Sequence, residues 1–257
     1  MTAALTARLV RFQRPDRSMP YLQGLDEARI AALFGLTLDE YQALLSDFAD
    51  QVRQAAEDLL GEPDFANAVD RLPDSRHIVA LGESTTADRL SWVEILRQVL
   101  AVHRPDVRVT NLGVSGSTTT QALAQVPALG FLRPDWVLCM LGSNDAQLLS
   151  PAGPTLVSRD ETERNLRTLR DLAGPVAWTW LTPSAVDEER VRAYPHFQRA
   201  GIGWTNKDID ATAEFLRALP DPTVDTRFGG HPEFLLEDGV HLTLDGHKAV
   251  VRAFVSA

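Results

Sequence analysis

Four short stretches of the chain carry the residue types that acyl transfer needs. Ser84 follows an apolar run in "IVALGESTT", Gly113 lies in "NLGVSG", Asn144 in "GSND", and Asp238 and His241 in "DGVH". A serine hydroxyl is a weak nucleophile and needs a base to take its proton. A histidine can do this when a carboxylate orients its ring, and fixed N–H donors must then stabilise the oxyanion. Together the four stretches supply each of these parts.

Taken singly, each stretch also has a structural explanation. Ser84 could be a helix N-cap, and Gly113 could permit a tight turn. Asn144 could cap a turn, and the Asp238–His241 pair could be ordinary surface loop residues. The chemical interpretation therefore depends on whether the fold brings the four stretches together.

Apolar runs without alternation predict buried parallel strands after residue 76. They are "HIVAL", "VRVTNL", "DWVLCML", "PVAWTWL" and, more weakly, "PTVDTR". The helical patterns between and after these runs cover roughly 88–103, 118–126, 159–173, 206–219 and 243–256. This order predicts a three-layer α/β/α fold of the flavodoxin-like kind with a mainly parallel five-stranded sheet. Sites in such sheets form outside the carboxyl ends of the strands, where three of the four stretches begin.

The first 72 residues differ from the rest of the chain, because their apolar patterns predict helices and no strands. The longest helix opens with Thr37 and Glu40 at capping-box spacing and ends at Gly61, with one continuous apolar face. We predict a helical region over 1–72 and an α/β domain over 73–257. The helices could form a lid, a homo-oligomer interface or a flank packed on the α/β domain, and the flank is the usual fate of an amphipathic helix.

Composition excludes several classes of protein. The net charge of −10 and the pI near 5.0 argue against a nucleic-acid surface. The single cysteine, Cys139, lies in an apolar run and is expected to be a buried strand thiol. Arg8 and Arg11 interrupt the first apolar stretch, and no stretch has the length of a membrane span, so we expect a cytoplasmic protein without a signal peptide. No histidine, cysteine and carboxylate cluster has ligand spacing, and we expect neither metal nor cofactor.

With these motifs in order, the chain over about 77–257 resembles the SGNH, or GDSL-type, hydrolase family. The resemblance implies that Ser84 is the nucleophile, His241 the general acid and base, and Asp238 the residue that holds His241. It also implies an oxyanion hole made by the backbone N–H groups of Ser84 and Gly113 and by the side-chain amide of Asn144. The expected substrate is a small-molecule carboxylic ester.

Two departures from neighbouring patterns matter. Glu83 stands where the family's first block usually has aspartate, and we expect this to alter the loop rather than the chemistry. Thr86 stands where the Gly-x-Ser-x-Gly elbow of α/β-hydrolases needs its second glycine, which favours the SGNH interpretation.

The substrate pocket is expected to be small. No extended apolar stretch near the motifs suggests a long-chain tunnel, which favours short acyl groups such as acetyl. Tyr194, Phe197 and Trp204 in "VRAYPHFQRAGIGWTNKD" could form a binding wall, or could equally anchor a long loop.

Two other interpretations remain open from sequence. A flavodoxin-like module could hold a flavin phosphate at the Ser/Thr-rich loop after the first strand. That interpretation leaves Asn144 and the Asp238–His241 pair unexplained. The second is a hydrolase-derived scaffold whose helical region binds a partner, and the complete set of site residues argues against the loss of activity that this would imply.

Overall fold

The computed structural model describes residues 2–19, 22, 24–150 and 152–257. Its centre is one parallel sheet with the strand order β2-β1-β3-β4-β5. The strands are β1 (His77–Gly82), β2 (Arg108–Asn111), β3 (Trp136–Met140), β4 (Ala177–Leu181) and β5 (Thr223–Val224). All residues of the central strands β1 and β3 are buried, as their uninterrupted apolar runs predict.

Helices cover both faces of this sheet, which confirms the predicted three-layer α/β/α fold. Residues of β1 and β3 alternate between two buried clusters. Ile78 and Leu138 pack towards one face, and Val79 and Cys139 towards the other. The helices are α1 (Ala3–Phe12), α2 (Pro15–Ser18), α3 (Glu27–Leu33), α4 (Leu38–Leu60), α5 (Pro63–Asp70), α6 (Ser84–Ala87), α7 (Trp92–His103), α8 (Thr119–Ala122), α9 (Val126–Leu132), α10 (Arg159–Leu172), α11 (Glu188–Ala193), α12 (Pro195–Ala200), α13 (Asn206–Arg217) and α14 (Leu244–Val255).

The N-terminal helices pack on one face of the sheet layer. Thr37 and Glu40 form the predicted capping box at the start of α4. The apolar face of α4 contacts α7 and α14, and its buried residues belong to the same cluster as those of β1. These helices are therefore a packed flank, and the division of the chain at residue 72 stays a prediction.

Cys139 lies fully buried in β3, as predicted for a strand thiol. Burial raises the pKa of this thiol, because the thiolate would lose its hydration there. Within the described parts of the chain, no helix combines the length and the apolar character needed to cross a bilayer.

Candidate active site

The turn after β1 places Ser84 at the carboxyl edge of the sheet. Gly82 ends the strand, and a Cβ atom there would lie 2.9 Å from the carbonyl oxygen of Met140 on β3. The chain then turns at once into α6, where the N–H groups of Thr86 and Ala87 donate to the carbonyl of Glu83 at 3.0 and 2.7 Å. Ser84 is the first residue of this helical turn, so its side chain lies just beyond the end of the central strand β1.

Ser84, His241 and Asp238 form a continuous chain of hydrogen bonds. The Ser84 Oγ lies 3.2 Å from His241 Nε2, and His241 Nδ1 lies 2.7 Å from Asp238 Oδ2. The other oxygen of Asp238 accepts the backbone N–H groups of Val240 and His241 at 2.8 and 2.9 Å. This is the geometry in which an imidazole can remove the hydroxyl proton while a carboxylate holds its ring.

The Asp238 carboxylate is fully buried yet suited to stay ionised. Burial opposes its ionisation, but the His241 ring and the two backbone N–H groups outweigh that penalty and hold the pKa of Asp238 below its usual range. A charged acceptor therefore faces His241 Nδ1 at any ordinary pH.

Glu83 fixes the loop that follows β3. Its side chain is 2% exposed, and its two oxygens accept the backbone N–H groups of Ser143 and Asn144 at 3.1 and 3.0 Å. Burial raises the pKa of Glu83 to about 8, while those two donors oppose the rise. The residue that departs from the familiar Gly-Asp-Ser block is thus a buried tie between the Ser84 turn and the Asn144 loop.

We expect Glu83→Gln to lower kcat by about tenfold above about pH 8, where Glu83 is a carboxylate, because an amide keeps one acceptor oxygen and leaves one loop N–H unpaired. The pKa of Glu83 is higher in the folded than in the unfolded protein, so its protonation favours folding. That contribution is complete below the unfolded value of about 4.3 and is lost as the pH rises through about 8. Urea unfolding at about pH 5 and about pH 9 measures it.

The matched control for this experiment is Glu57→Gln, the same change at an exposed position of α4. Relative to that control, the stability of the wild type minus that of Glu83→Gln should fall from the lower to the higher pH. An equal difference at both pH values would contradict the assigned titration.

Asn144 points its side-chain amide along the same edge of the sheet. The Nδ2 group donates one hydrogen to the carbonyl oxygen of Ser117 at 3.1 Å. An amide nitrogen carries two hydrogens, so one remains for a substrate oxygen.

The structure contradicts the donor role predicted for Gly113. Its N–H donates to Asn111 Oδ1 at 2.8 Å and cannot serve an oxyanion at the same time. A Cβ atom at Gly113 would lie 2.6 Å from the backbone nitrogen of Ala87 and 2.8 Å from the carbonyl carbon of Thr86. Gly113 is needed because the loop after β2 packs tightly against α6.

Gly116, three residues later, has the properties that the prediction assigned to Gly113. Its N–H has no acceptor among the described residues, and no atom lies within 4 Å of the place where a Cβ would stand. Its φ of +77° is the left-handed conformation that favours glycine. The next residue, Ser117, contacts the Asn144 amide. The motif "NLGVSG" contains both glycines, so the sequence offered both as donors, but it does not show in which direction each N–H points.

The three aromatic residues predicted to line a pocket form one stack beside the loop after β3. Ring centroids lie 4.9 Å apart for Tyr194 and Phe197 and 5.0 Å apart for Phe197 and Trp204. Trp204 is buried and donates its indole N–H to the carbonyl of Ser143 at 2.9 Å. Trp204 therefore anchors its loop, and a substrate-binding role for these rings stays a prediction.

Cavity size does not identify the site. A cavity of about 1000 Å³ opens at the amino ends of the strands, between residues such as Trp136, Trp178 and Ala257. Neither Ser84 nor His241 contributes to it. The chemistry-bearing side chains instead converge at the opposite, carboxyl edge of the sheet.

A parallel α/β sheet with a Ser–His–Asp chain at its carboxyl edge defines a serine-hydrolase type of site. The model of the GDSL-like lipase/acylhydrolase family matches residues 80–249. The chain belongs to this family.

Three individual proteins are similar to parts of this chain. An arylesterase of Vibrio mimicus is 39% identical over 77 residues, which cover 28% of this chain and 38% of that protein. The crystal structure of the lipase/acylhydrolase from Enterococcus faecalis is similar with a TM-score of 0.57 and 25% identity, over 70% of this chain and 94% of that one. A carbohydrate acetylesterase family member from Sinorhizobium meliloti shares the fold, with a TM-score of 0.54 and 18% identity over 70% and 96% of the two chains.

Proposed function

We propose that this protein is a serine esterase that cleaves short-chain carboxylic esters through an acyl-enzyme on Ser84. The observation that carries the proposal is the distance of 3.2 Å from Ser84 Oγ to His241 Nε2, in a ring whose Nδ1 is bound to the buried Asp238. Membership of the GDSL-like lipase/acylhydrolase family supports the same reaction class.

The residues divide the reaction into two steps. His241 takes the Ser84 proton as Oγ attacks the ester carbonyl, and then gives that proton to the departing alcohol. Water attacks the resulting acyl-Ser84 ester while His241 takes a proton from the water. The collapse returns the proton to Ser84 and releases the carboxylic acid. Asp238 remains ionised and stabilises the imidazolium in both steps.

For the oxyanion hole we propose the N–H groups of Ser84 and Gly116 and the side-chain amide of Asn144. The Ser84 N–H lies at the open start of α6 and has no acceptor among the described residues. Gly116 replaces the predicted Gly113, because the N–H of Gly113 already donates to Asn111 Oδ1. These donors are neutral, so no titration removes them.

Two features of the site support short acyl groups. The Phe12 ring lies 4.5 Å from the His241 ring, between centroids, and occupies space beside the reacting atoms. The rings of Tyr194 and Trp204 each contact Phe197, so part of the apolar surface of these rings is already covered. The similar fold of the carbohydrate acetylesterase family member from Sinorhizobium meliloti agrees with a short acyl group such as acetyl.

A fluorophosphonate probe and a series of p-nitrophenyl esters test the proposal. We expect the probe to modify Ser84, as mapped by peptide mass spectrometry. We expect kcat/KM for the acetate to exceed that for the octanoate by at least about tenfold, because each methylene that a pocket rejects costs about 1 kcal/mol or more. Modification of another residue would contradict the nucleophile, and rates that rise towards octanoate would contradict the short acyl group.

A further inference from the structure

Helix α1 lies outside the residues that match the family, yet it contacts the Ser–His–Asp chain directly. The family match begins at residue 80, whereas α1 covers Ala3–Phe12. The Arg8 guanidinium pairs with Asp238 Oδ2, the same oxygen that accepts His241 Nδ1. One turn later, the Phe12 ring packs against the His241 ring.

Arg8 completes the set of partners around the Asp238 carboxylate. Oδ1 accepts two backbone N–H groups, and Oδ2 accepts His241 and Arg8. Arg8 also pairs with Glu237 through its other nitrogen. A carboxylate with four donors cannot turn about its bond to Cβ, so the direction in which it holds His241 is fixed.

Helix α1 is held in this position by buried ties. Arg11 donates to the Asp88 carboxylate at 2.6 to 3.0 Å and to the carbonyl of Leu242 at 2.9 Å. His247 Nε2 lies 3.0 Å from Asp88 Oδ2. Burial opposes the ionisation of Asp88, but hydrogen bonds from His247 and Arg11 outweigh it and hold its pKa at about 2. Arg89 and Ser115 also fix the end of α1, because their side chains donate to the carbonyls of Val10 and Phe12.

We propose that Arg8 is a positioning residue of the active site, which fixes Asp238 and places a positive charge beside the His241–Asp238 pair. This cation lies next to the imidazole, because Arg8 and His241 donate to the same oxygen of Asp238, and it opposes a second positive charge on the ring. The N-terminal helical region thus supplies a working part of the site and not only a packed flank.

Several other charged or titratable groups surround the pair, and their signs decide how much Arg8 matters. The Arg11 charge is compensated by its ion pair with Asp88. The Glu237 side chain is 66% exposed, so solvent screens its opposing charge. Among the described residues, the charged or titratable groups around the pair are Arg8 and Arg11 from α1, Glu237 beside Asp238, Tyr194 after α11, Asp88, and His247 of α14.

The test compares Arg8→Gln with the wild type by the pH profile of kcat/KM and by NMR titration of the His241 ring. We expect the midpoint of the acid limb, and that of the ring titration, to rise by roughly 0.5 to 2 pH units, the effect of a unit charge about 5 Å away for effective dielectric constants from about 80 down to about 20. Arg8→Lys keeps the charge and should keep the wild-type midpoint. Arg53→Gln, which removes an arginine that is 55% exposed on α4, should leave it unchanged and controls for net charge.

A second variant protects the test against misfolding of Arg8→Gln. Arg8→Met keeps a long side chain beside the Phe12 and Tyr194 rings but removes the charge, so its midpoint should rise as well. An unchanged midpoint in a folded Arg8→Gln or Arg8→Met protein overturns the proposal.

The kinetic part of this inference rests on the proposed esterase, whereas the NMR part does not. Hydrolysis through Ser84 with equal midpoints in wild type and Arg8→Gln would refute the role of Arg8 alone. A shifted ring titration in a protein whose Ser84 is not modified by the probe would refute the esterase and leave the charge effect of Arg8 intact.

Discussion

Replacing Ser84 with alanine is expected to lower kcat for an activated acetyl ester by about 10⁴-fold or more, because no other hydroxyl lies on His241 Nε2 among the described residues. Binding and the oxyanion donors remain, so a small residual rate over water should survive. Initial rates with p-nitrophenyl acetate measure the loss, and a thermal melt checks that the fold is kept. Loss of labelling by the fluorophosphonate probe should accompany it.

Ser46→Ala is the matched control, since it removes the same hydroxyl from an exposed position of α4. Its activity should equal that of the wild type. A Ser84→Ala protein that hydrolyses the acetate at the wild-type rate would mean that another group performs the attack, and the proposed acyl-enzyme would have to be abandoned.

Replacing Asn144 with alanine is expected to lower kcat by about 10² to 10³-fold while KM changes little. The reason is that the contact of the amide with the carbonyl oxygen strengthens as negative charge develops there. Asn144→Asp, which keeps the shape but loses the donor and adds a charge, should be at least as damaging. Steady-state kinetics with the acetate ester separate kcat from KM.

The control for Asn144 is Asn67→Ala at an exposed position of α5. Because Asn144 also donates to Ser117, a purely structural effect is the competing explanation. A variant whose loss lies in KM, or whose melting temperature falls in proportion to its activity, would favour that explanation over an oxyanion contact.

Most of the sheet could be predicted from local patterns. The runs "HIVAL" and "DWVLCML" are apolar at every position, and strands of this kind are stable only when both faces are covered. The first became β1 and the second β3, side by side at the centre of the sheet. The weak run "PTVDTR" gave the two-residue edge strand β5, where fewer neighbours demand apolar side chains.

The candidate site was predictable only where a residue type itself carries the chemistry. A hydroxyl, an imidazole and a carboxylate are recognisable as Ser84, His241 and Asp238 without coordinates. A backbone N–H belongs to every residue except proline, so the choice between Gly113 and Gly116 depends on the path of the loop. Only the hydrogen bond from Gly113 to Asn111 decided it.

The sequence by itself determined the succession of strands along the chain, because local apolar patterns indicate buried strands. It also determined which side chains can transfer an acyl group, because that depends on side-chain chemistry. The tertiary structure alone decided that Glu83 ties two loops together and that Arg8 meets Asp238, 230 positions along the chain. No spacing rule connects such residues. Glu83 reaches its partners because β1 and β3 are neighbours in the sheet, and Arg8 reaches Asp238 because α1 packs against the folded α/β domain.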